Sequence, residues 1–151
     1  MVKATFGAGC FWHIEQEFKA VPGVLSTAVG YAGGTTTNPT YKQVCTGTTG
    51  HAEVVQVTYD PEIINYDELL IVFWSLHDPT LLNRQGPDVG TQYRSIILVE
   101  DYGQEHVART SLKKEQAKHS KPIVTEIQPM GPFYRAEEYH QCYLEKKKTG
   151  G

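Results

Sequence analysis

The hydrophobic period of the chain changes within its first twenty residues. Val2 to Phe6 is a short apolar run, Gly7-Ala8-Gly9 breaks it, and Phe11, Ile14 and Phe18 then recur at helical spacing until Val21-Pro22-Gly23. A strand is therefore predicted to pass through a glycine turn directly into a helix. Gly23 to Tyr31 reads as a second strand, Asn38-Pro39-Thr40-Tyr41 opens a short helical turn reaching Cys45, and Glu53 to Tyr59 is a third strand ending at Asp60-Pro61. A helix follows from Asn65, whose spacing to Glu68 suits a capping box, through Leu69, Leu70, Val72, Phe73 and Leu76. Beyond it, Tyr93–Val99 is predicted as a strand, Asp101–His119 as a helix, Ile123–Ile127 as a strand and Ala136–Lys147 as a final helix. The order β-α-β-β-α-β-α-β-α begins with a split βαβ pattern. It implies an α+β fold: a two-layer sandwich on a mixed sheet with a ferredoxin-like core.

No repeat, low-complexity block or linker interrupts the 151 residues, so residues 1–151 are expected to form a single catalytic domain. The stretch from His77 to Thr91 is polar and, at about fifteen residues, longer than an ordinary connection, which marks it as either a functional loop or a disordered one. No apolar run approaches the ~18 residues of a membrane span, and the opening residues lack the apolar stretch of a signal peptide. The expected compartment is cytoplasmic. A net charge of −3, with no basic stripe besides Lys146-Lys147-Lys148, argues against nucleic acid as a partner.

Three cysteines, Cys10, Cys45 and Cys142, form no CxxC pair, so neither a disulfide framework nor a zinc knuckle is encoded. None of the six histidines falls in HExxH spacing, and no metal site is expected. A cysteine that matters here matters as a reactive thiol. Cys10 follows the glycines where the first helix begins, so helix-terminal amides would face its sulfur and favour thiolate. The competing reading is a small apolar filler at a strand–helix junction. Trp12 falls off the core stripe and would suit a small apolar group such as a methyl on sulfur, or else packs on a neighbouring segment. Glu53 opens an apolar strand; partial burial would keep it protonated as a general acid, whereas a solvent-facing glutamate would do nothing. Tyr41 and Tyr93 stand beside turns, placed to hydrogen-bond an oxygen if those turns line a cleft.

Taken together, these residues resemble the A-type peptide methionine sulfoxide reductases. The resemblance runs through Gly9-Cys10-Phe11-Trp12, Gly30-Tyr31-Ala32-Gly33-Gly34, Asn38-Pro39-Thr40-Tyr41, Gly50-His51-Ala52-Glu53, His77-Asp78-Pro79-Thr80, Asn83-Arg84-Gln85-Gly86, Asp88 to Ser95 and Phe133 to Glu137. It implies that Cys10 attacks the sulfur of a methionine S-sulfoxide, free or in an oxidised protein, and becomes a sulfenic acid. Glu53 would supply a proton to the oxygen, Tyr41 and Tyr93 would hydrogen-bond it, and Asp88 would help organise the site. Phe11 and Trp12 would cradle the S-methyl group. No bound cofactor is implied; thioredoxin or another dithiol would be the external reductant.

A sulfenic acid must be reduced before the next turnover. Many members of the family carry recycling cysteines in a glycine-rich tail, and here Lys146 to Gly151 contains none. Cys142 is the favoured resolving thiol, because a C-terminal helix can fray to deliver it; Cys45 is less favoured, its segment being expected to pack behind the site. Direct reduction of Cys10 by an external thiol is the alternative. Two other classes remain open at this point: a Cys-His hydrolase using His51, His77 or His140, and a non-catalytic ligand-binding module with an unreactive Cys10.

Overall fold

The computed structural model describes residues 2–143. Strands β1 (Val2–Ala8), β2 (Val24–Ala32), β3 (Ala52–Tyr59), β6 (Ser95–Val99), β7 (Glu126–Pro129) and β8 (Tyr134–Arg135) form one sheet in the order β7-β6-β1-β3-β2-β8. β3 lies antiparallel between β1 and β2, and β6 pairs antiparallel with the free side of β1. This is the split βαβ core expected from the sequence. β7 runs parallel to β6, which makes the sheet mixed.

Helices α1 (Phe11–Lys19), α3 (Tyr66–Ser75) and α4 (Tyr102–Gln116) contribute to one large core cluster with the sheet, whereas the smaller cluster of Ala32, Ala52, Val54, Ile96 and Leu98 packs with Met130 and Phe133. The centre of the large cluster is aromatic. Phe6 stacks on Phe18 at 5.1 Å and lies 5.3 Å from Phe73, joining β1 to both α1 and α3. β1 is buried on both faces from Ala4 to Ala8, as a central strand must be, so its end is rigidly held. Cys10 therefore starts α1 from a fixed point.

Asn65 and Glu68 form the predicted capping box, and Trp74 Nε1 donates to Ser111 Oγ at 2.8 Å, fastening α4 to α3. A second capping box, Thr40 with Gln43, starts α2 (Tyr41–Cys45). The polar stretch from His77 to Thr91 contains the two-stranded hairpin β4 (Arg84–Gln85) and β5 (Asp88–Val89), followed by a 3-10 turn at Thr91–Tyr93 that delays β6 until Ser95. Packing accounts for the hairpin's place. Gly9 has φ +103°, and a Cβ there would come 3.0 Å from Gln85 Cβ, so glycine lets the hairpin close over the residue before Cys10.

The predicted helix over Ala136–Lys147 is not formed between Ala136 and Cys142. Residues Glu138–His140 form a 3-10 turn, Cys142 takes a left-handed φ of +53°, and residues 144–151 lie outside the described part. Side-chain hydrogen bonds override the helical pattern here. Gln141 is buried and acts as a substitute strand residue, accepting from the Val29 amide and donating to the carbonyls of Val29 and Ala136, all at 2.9 Å. Those bonds hold the segment flat along β2, beside the Gly30–Arg135 pair of β8.

Candidate active site

Cys10 is the N-cap of α1, half-buried, with extended backbone and no side-chain cap. The backbone amides of Trp12 and His13 at the helix start, the arrangement read from the sequence, lower its pKa. Burial acts in the opposite direction and is stronger. Reinforced by the nearby charges of Glu53 and Asp88, it pushes the thiol up to about 12, so the resting sulfur is protonated. The expectation of a resting thiolate is corrected on this point.

Glu53 sits at the second position of β3, 1% exposed, rather than facing solvent. Burial raises its pKa to about 8; the Phe11 amide, donating to Oε1 at 3.3 Å, lowers it, and Asp88 raises it further. Near neutrality it holds a proton. The other carboxyl oxygen, Oε2, is buried and has no hydrogen-bond partner among the described residues. A neutral carboxyl with one unsatisfied buried oxygen is a proton donor awaiting an acceptor.

Tyr93, in the 3-10 turn after the hairpin, is pushed up to about 12 by burial and by the charges of Glu53, Cys45, Asp88 and Cys10. Its hydroxyl is thus neutral and shares one electrostatic neighbourhood with the nucleophile and both acids. Tyr41, first residue of α2, is also raised, by burial first and then by Glu53, and its hydroxyl hydrogen-bonds the Cys45 thiol. Asp88 reaches the group from the β5 strand of the hairpin. Five of the residues singled out from the sequence, Cys10, Glu53, Tyr41, Tyr93 and Asp88, are therefore gathered from five different elements.

Phe11 and Trp12, the two aromatic residues after Cys10, differ in burial. Phe11 is 1% exposed and lies 5.9 Å from the Tyr31 ring, 6.4 Å from Tyr41 and 5.2 Å from His140. Trp12 is half-buried; its Nε1 donates to His140 Nδ1 at 3.0 Å and its ring stacks on Tyr143 at 3.9 Å. Trp12 therefore packs on the segment of His140 and Tyr143, the second of the two readings taken from the sequence.

Cys142 rests on the flank of α1. Its amide donates to Glu15 Oε1 at 2.7 Å, and its sulfur accepts from Lys19 Nζ at 3.2 Å. Glu15 and Lys19 lie five and nine residues along the chain from Cys10, roughly 7.5 and 13.5 Å at 1.5 Å per helical residue. Cys45 does not pack behind the site: it is exposed, and Glu53, Glu137 and Tyr41 all act on its thiol. All three cysteines are free.

The histidines proposed for a hydrolase are engaged elsewhere. His51 bridges the Gly34 amide and the Thr36 carbonyl, His77 bridges the Phe73 carbonyl and Ser95, and His140 Nδ1 is taken by Trp12. No hydrogen bond joins any of them to Cys10 among the described residues. No group of three or more His, Cys, Asp or Glu among those residues could hold a metal ion, and no described helix is long and apolar enough to cross a membrane.

The family model for peptide methionine sulfoxide reductase matches residues 2–151. The chain belongs to the peptide methionine sulfoxide reductase family. The peptide methionine sulfoxide reductase MsrA of Geobacter sulfurreducens is 62% identical over 150 residues, covering 98% of this chain and 93% of that protein. Reduced Mxr1 of Saccharomyces cerevisiae superposes with a TM-score of 0.93 at 39% identity, covering 99% of this chain and 87% of Mxr1. Mxr1 in complex with Trx2 superposes with a TM-score of 0.68 at 26% identity, covering 94% and 84%. In this methionine sulfoxide reductase, Cys10, Glu53, Tyr93 and Asp88 share one electrostatic neighbourhood, with the Phe11 and Trp12 rings directly after the cysteine in sequence.

Two residues of this reductase site were not assigned a part in it from the sequence. His140 entered only as a metal or hydrolase candidate, and Glu137 only within a block of resemblance. Their roles arise from a turn where the apolar period predicted a helix, so periodicity carried no signal for them.

Proposed function

We propose that the protein reduces methionine S-sulfoxide, free or within oxidised proteins, to methionine, and so repairs oxidised proteins. The observation that supports this most is the protonated, partnerless oxygen of Glu53 on a carboxyl fastened to the residue next to Cys10.

The S-methyl group lies against Phe11 and Trp12, and the sulfoxide oxygen accepts hydrogen bonds from Glu53, Tyr41 and Tyr93. Drawing charge onto that oxygen leaves its sulfur more positive beside the Cys10 thiol, which favours loss of the thiol proton. Cys10 sulfur then bonds to the sulfoxide sulfur. Glu53 protonates the oxygen, the hydroxyl passes from the substrate sulfur to Cys10 as the substrate S–O bond and the transient S–S bond break, and the thiol proton restores the carboxyl. One thiol and one sulfoxide give one sulfenic acid and one thioether, a two-electron exchange with no cofactor. Asp88 keeps the pocket's net charge negative and its polar groups oriented.

Cys142, whose left-handed backbone rather than a fraying helix favours release, is the favoured resolving thiol: its attack on the Cys10 sulfenic acid forms a disulfide and releases water. An external dithiol then reduces that disulfide by exchange. The complex of Mxr1 with Trx2 supports a protein of the thioredoxin class as that dithiol.

The direct test is steady-state reduction of methionine S-sulfoxide with thioredoxin as donor. Wild type turns over, Cys10→Ser is inactive with an unchanged circular dichroism spectrum, and surviving activity in Cys10→Ser overturns the reading.

A further inference from the structure

Glu137 is a carboxylate that the reaction as described does not use. It lies between β8 and the 3-10 turn, half-buried, and both its oxygens are occupied. Oε1 accepts from the Tyr31 hydroxyl at 2.9 Å, and Oε2 accepts from the main-chain amide of Tyr41 at 3.0 Å. Burial opposes its charge, but these bonds, with its own amide and His140, hold the carboxyl below its usual range, so it is ionised at neutral pH.

The two partners are not equivalent. Tyr31 is fully buried and pairs in register with Glu53 across β2 and β3, so it belongs to the rigid sheet. Tyr41 opens a five-residue helix after the Asn38-Pro39-Thr40 turn, and a helix that short has little stability of its own. Glu137 thus ties the first residue of a marginal helix to the strand pair that carries the acid. The rings of both tied residues lie near Phe11, at 5.9 and 6.4 Å.

We propose that Glu137 is a positioning residue for sulfoxide reduction: it references Tyr41 to the sheet through Tyr31, so that the Tyr41 hydroxyl meets the sulfoxide oxygen as negative charge develops there. The proposal rests on the role given to Tyr41 above. A hydroxyl aimed at a developing oxyanion loses its effect with small displacements, because its value lies in being preorganised. Glu137 itself touches no reacting atom. Its influence is on the rate of the chemical step, with the methyl pocket at Trp12 left in place.

The experiment is single-turnover reduction of methionine S-sulfoxide by the full chain, comparing wild type, Tyr41→Phe, Glu137→Gln, the double variant and Tyr31→Phe. Gln keeps the size of Glu but offers one acceptor oxygen where two are needed, so the fold is retained; a melting curve for each variant checks this. Tyr41→Phe is expected to slow the step ~100-fold, the scale of one donor to a developing oxyanion. Glu137→Gln is expected to slow it ~10-fold with substrate affinity unchanged within about twofold, and to cost nothing further in the Tyr41→Phe background. Tyr31→Phe follows Glu137→Gln in direction. A Glu137→Gln rate equal to wild type, an equal penalty in both backgrounds, or a loss confined to affinity would each overturn the proposal. An unaffected Tyr41→Phe would instead remove the underlying role of Tyr41, and the proposal with it.

Discussion

The main-chain amide of Phe11 donates to Oε1 of Glu53 at 3.3 Å, so the acid is fastened to the residue that follows the nucleophile. The bond leaves Oε2 buried without a partner among the described residues and makes it the oxygen on which a transferable proton is most useful. It also fixes the distance between acid and nucleophile through one peptide unit.

Glu53→Gln removes the transferable proton and keeps the amide contact. Single-turnover reduction is expected to fall ~10²–10⁴-fold, the usual range for loss of a general acid, with little change in substrate affinity. In wild type, the rate assigned to Glu53 is complete below pH 8 and declines above it, because its protonated form is the active one and its pKa is about 8. A wild-type limb that persists in Glu53→Gln would assign that ionisation elsewhere.

The same carboxyl destabilises the fold at high pH. Its pKa is raised from 4.5 in the unfolded chain to about 8, so between these values the folded protein binds a proton that the unfolded one has released. The associated stability is fully present at low pH and lost as pH rises through 8. Denaturant titrations of wild type and Glu53→Gln should therefore diverge in favour of the variant from pH 5 to pH 9, by a few kcal/mol at most. Parallel curves would show that Glu53 is not protonated in the folded state.

His77 acts in the opposite sense. Burial lowers its pKa from 6.5 to about 4, so it folds neutral between the Phe73 carbonyl and Ser95. Its contribution is complete above pH 6.5 and is lost as pH falls toward 4. His77→Gln should be less stable at pH 7 by about 1–2 kcal/mol for the lost bonds, with a shallower decline on acidification; chemical denaturation at pH 7 and pH 5 measures both.

Trp12→Ala removes the larger part of the methyl-facing wall. Apparent affinity for methionine S-sulfoxide should weaken ~10–100-fold, consistent with what a hydrophobic pocket gains per small apolar group, and discrimination between S-methyl and S-ethyl sulfoxides should narrow. Competition between the two sulfoxides reads both effects.

For a disulfide with Cys10, Cys142 needs its Cα within about 7 Å of that of Cys10. Its left-handed backbone, costing about 1–2 kcal/mol, favours release. Peptide mapping after one equivalent of sulfoxide should find Cys10 joined to Cys142. A Cys10–Cys45 bond, or none, would remove Cys142 from that role.

Much of this was legible before folding. The apolar periods of Val2–Phe6, Phe11–Phe18 and Glu53–Tyr59 place Cys10 and Glu53 because each lies at the end of an element whose burial is dictated locally. The balance at Cys10 was not legible: helix-terminal amides can be read from a glycine turn, but the burial that opposes them is a product of the whole fold, and the charges that reinforce it, Glu53 and Asp88, are distant in sequence. The segment from Ala136 to Cys142 escaped for a related reason. Gln141, Glu137 and His140 each trade helical bonds for partners in β2, α2 and α1, and no local pattern announces partners so remote.

The most direct measurement is mass spectrometry of reduced enzyme given one equivalent of methionine S-sulfoxide in the presence of a 1,3-dione that traps sulfenic acids, using Cys45→Ser/Cys142→Ser to prevent resolution. One methionine should appear per enzyme, with the trap on Cys10 alone. Methionine formed with Cys10 unmodified, or no methionine at all, would contradict a Cys10 sulfur that takes the oxygen.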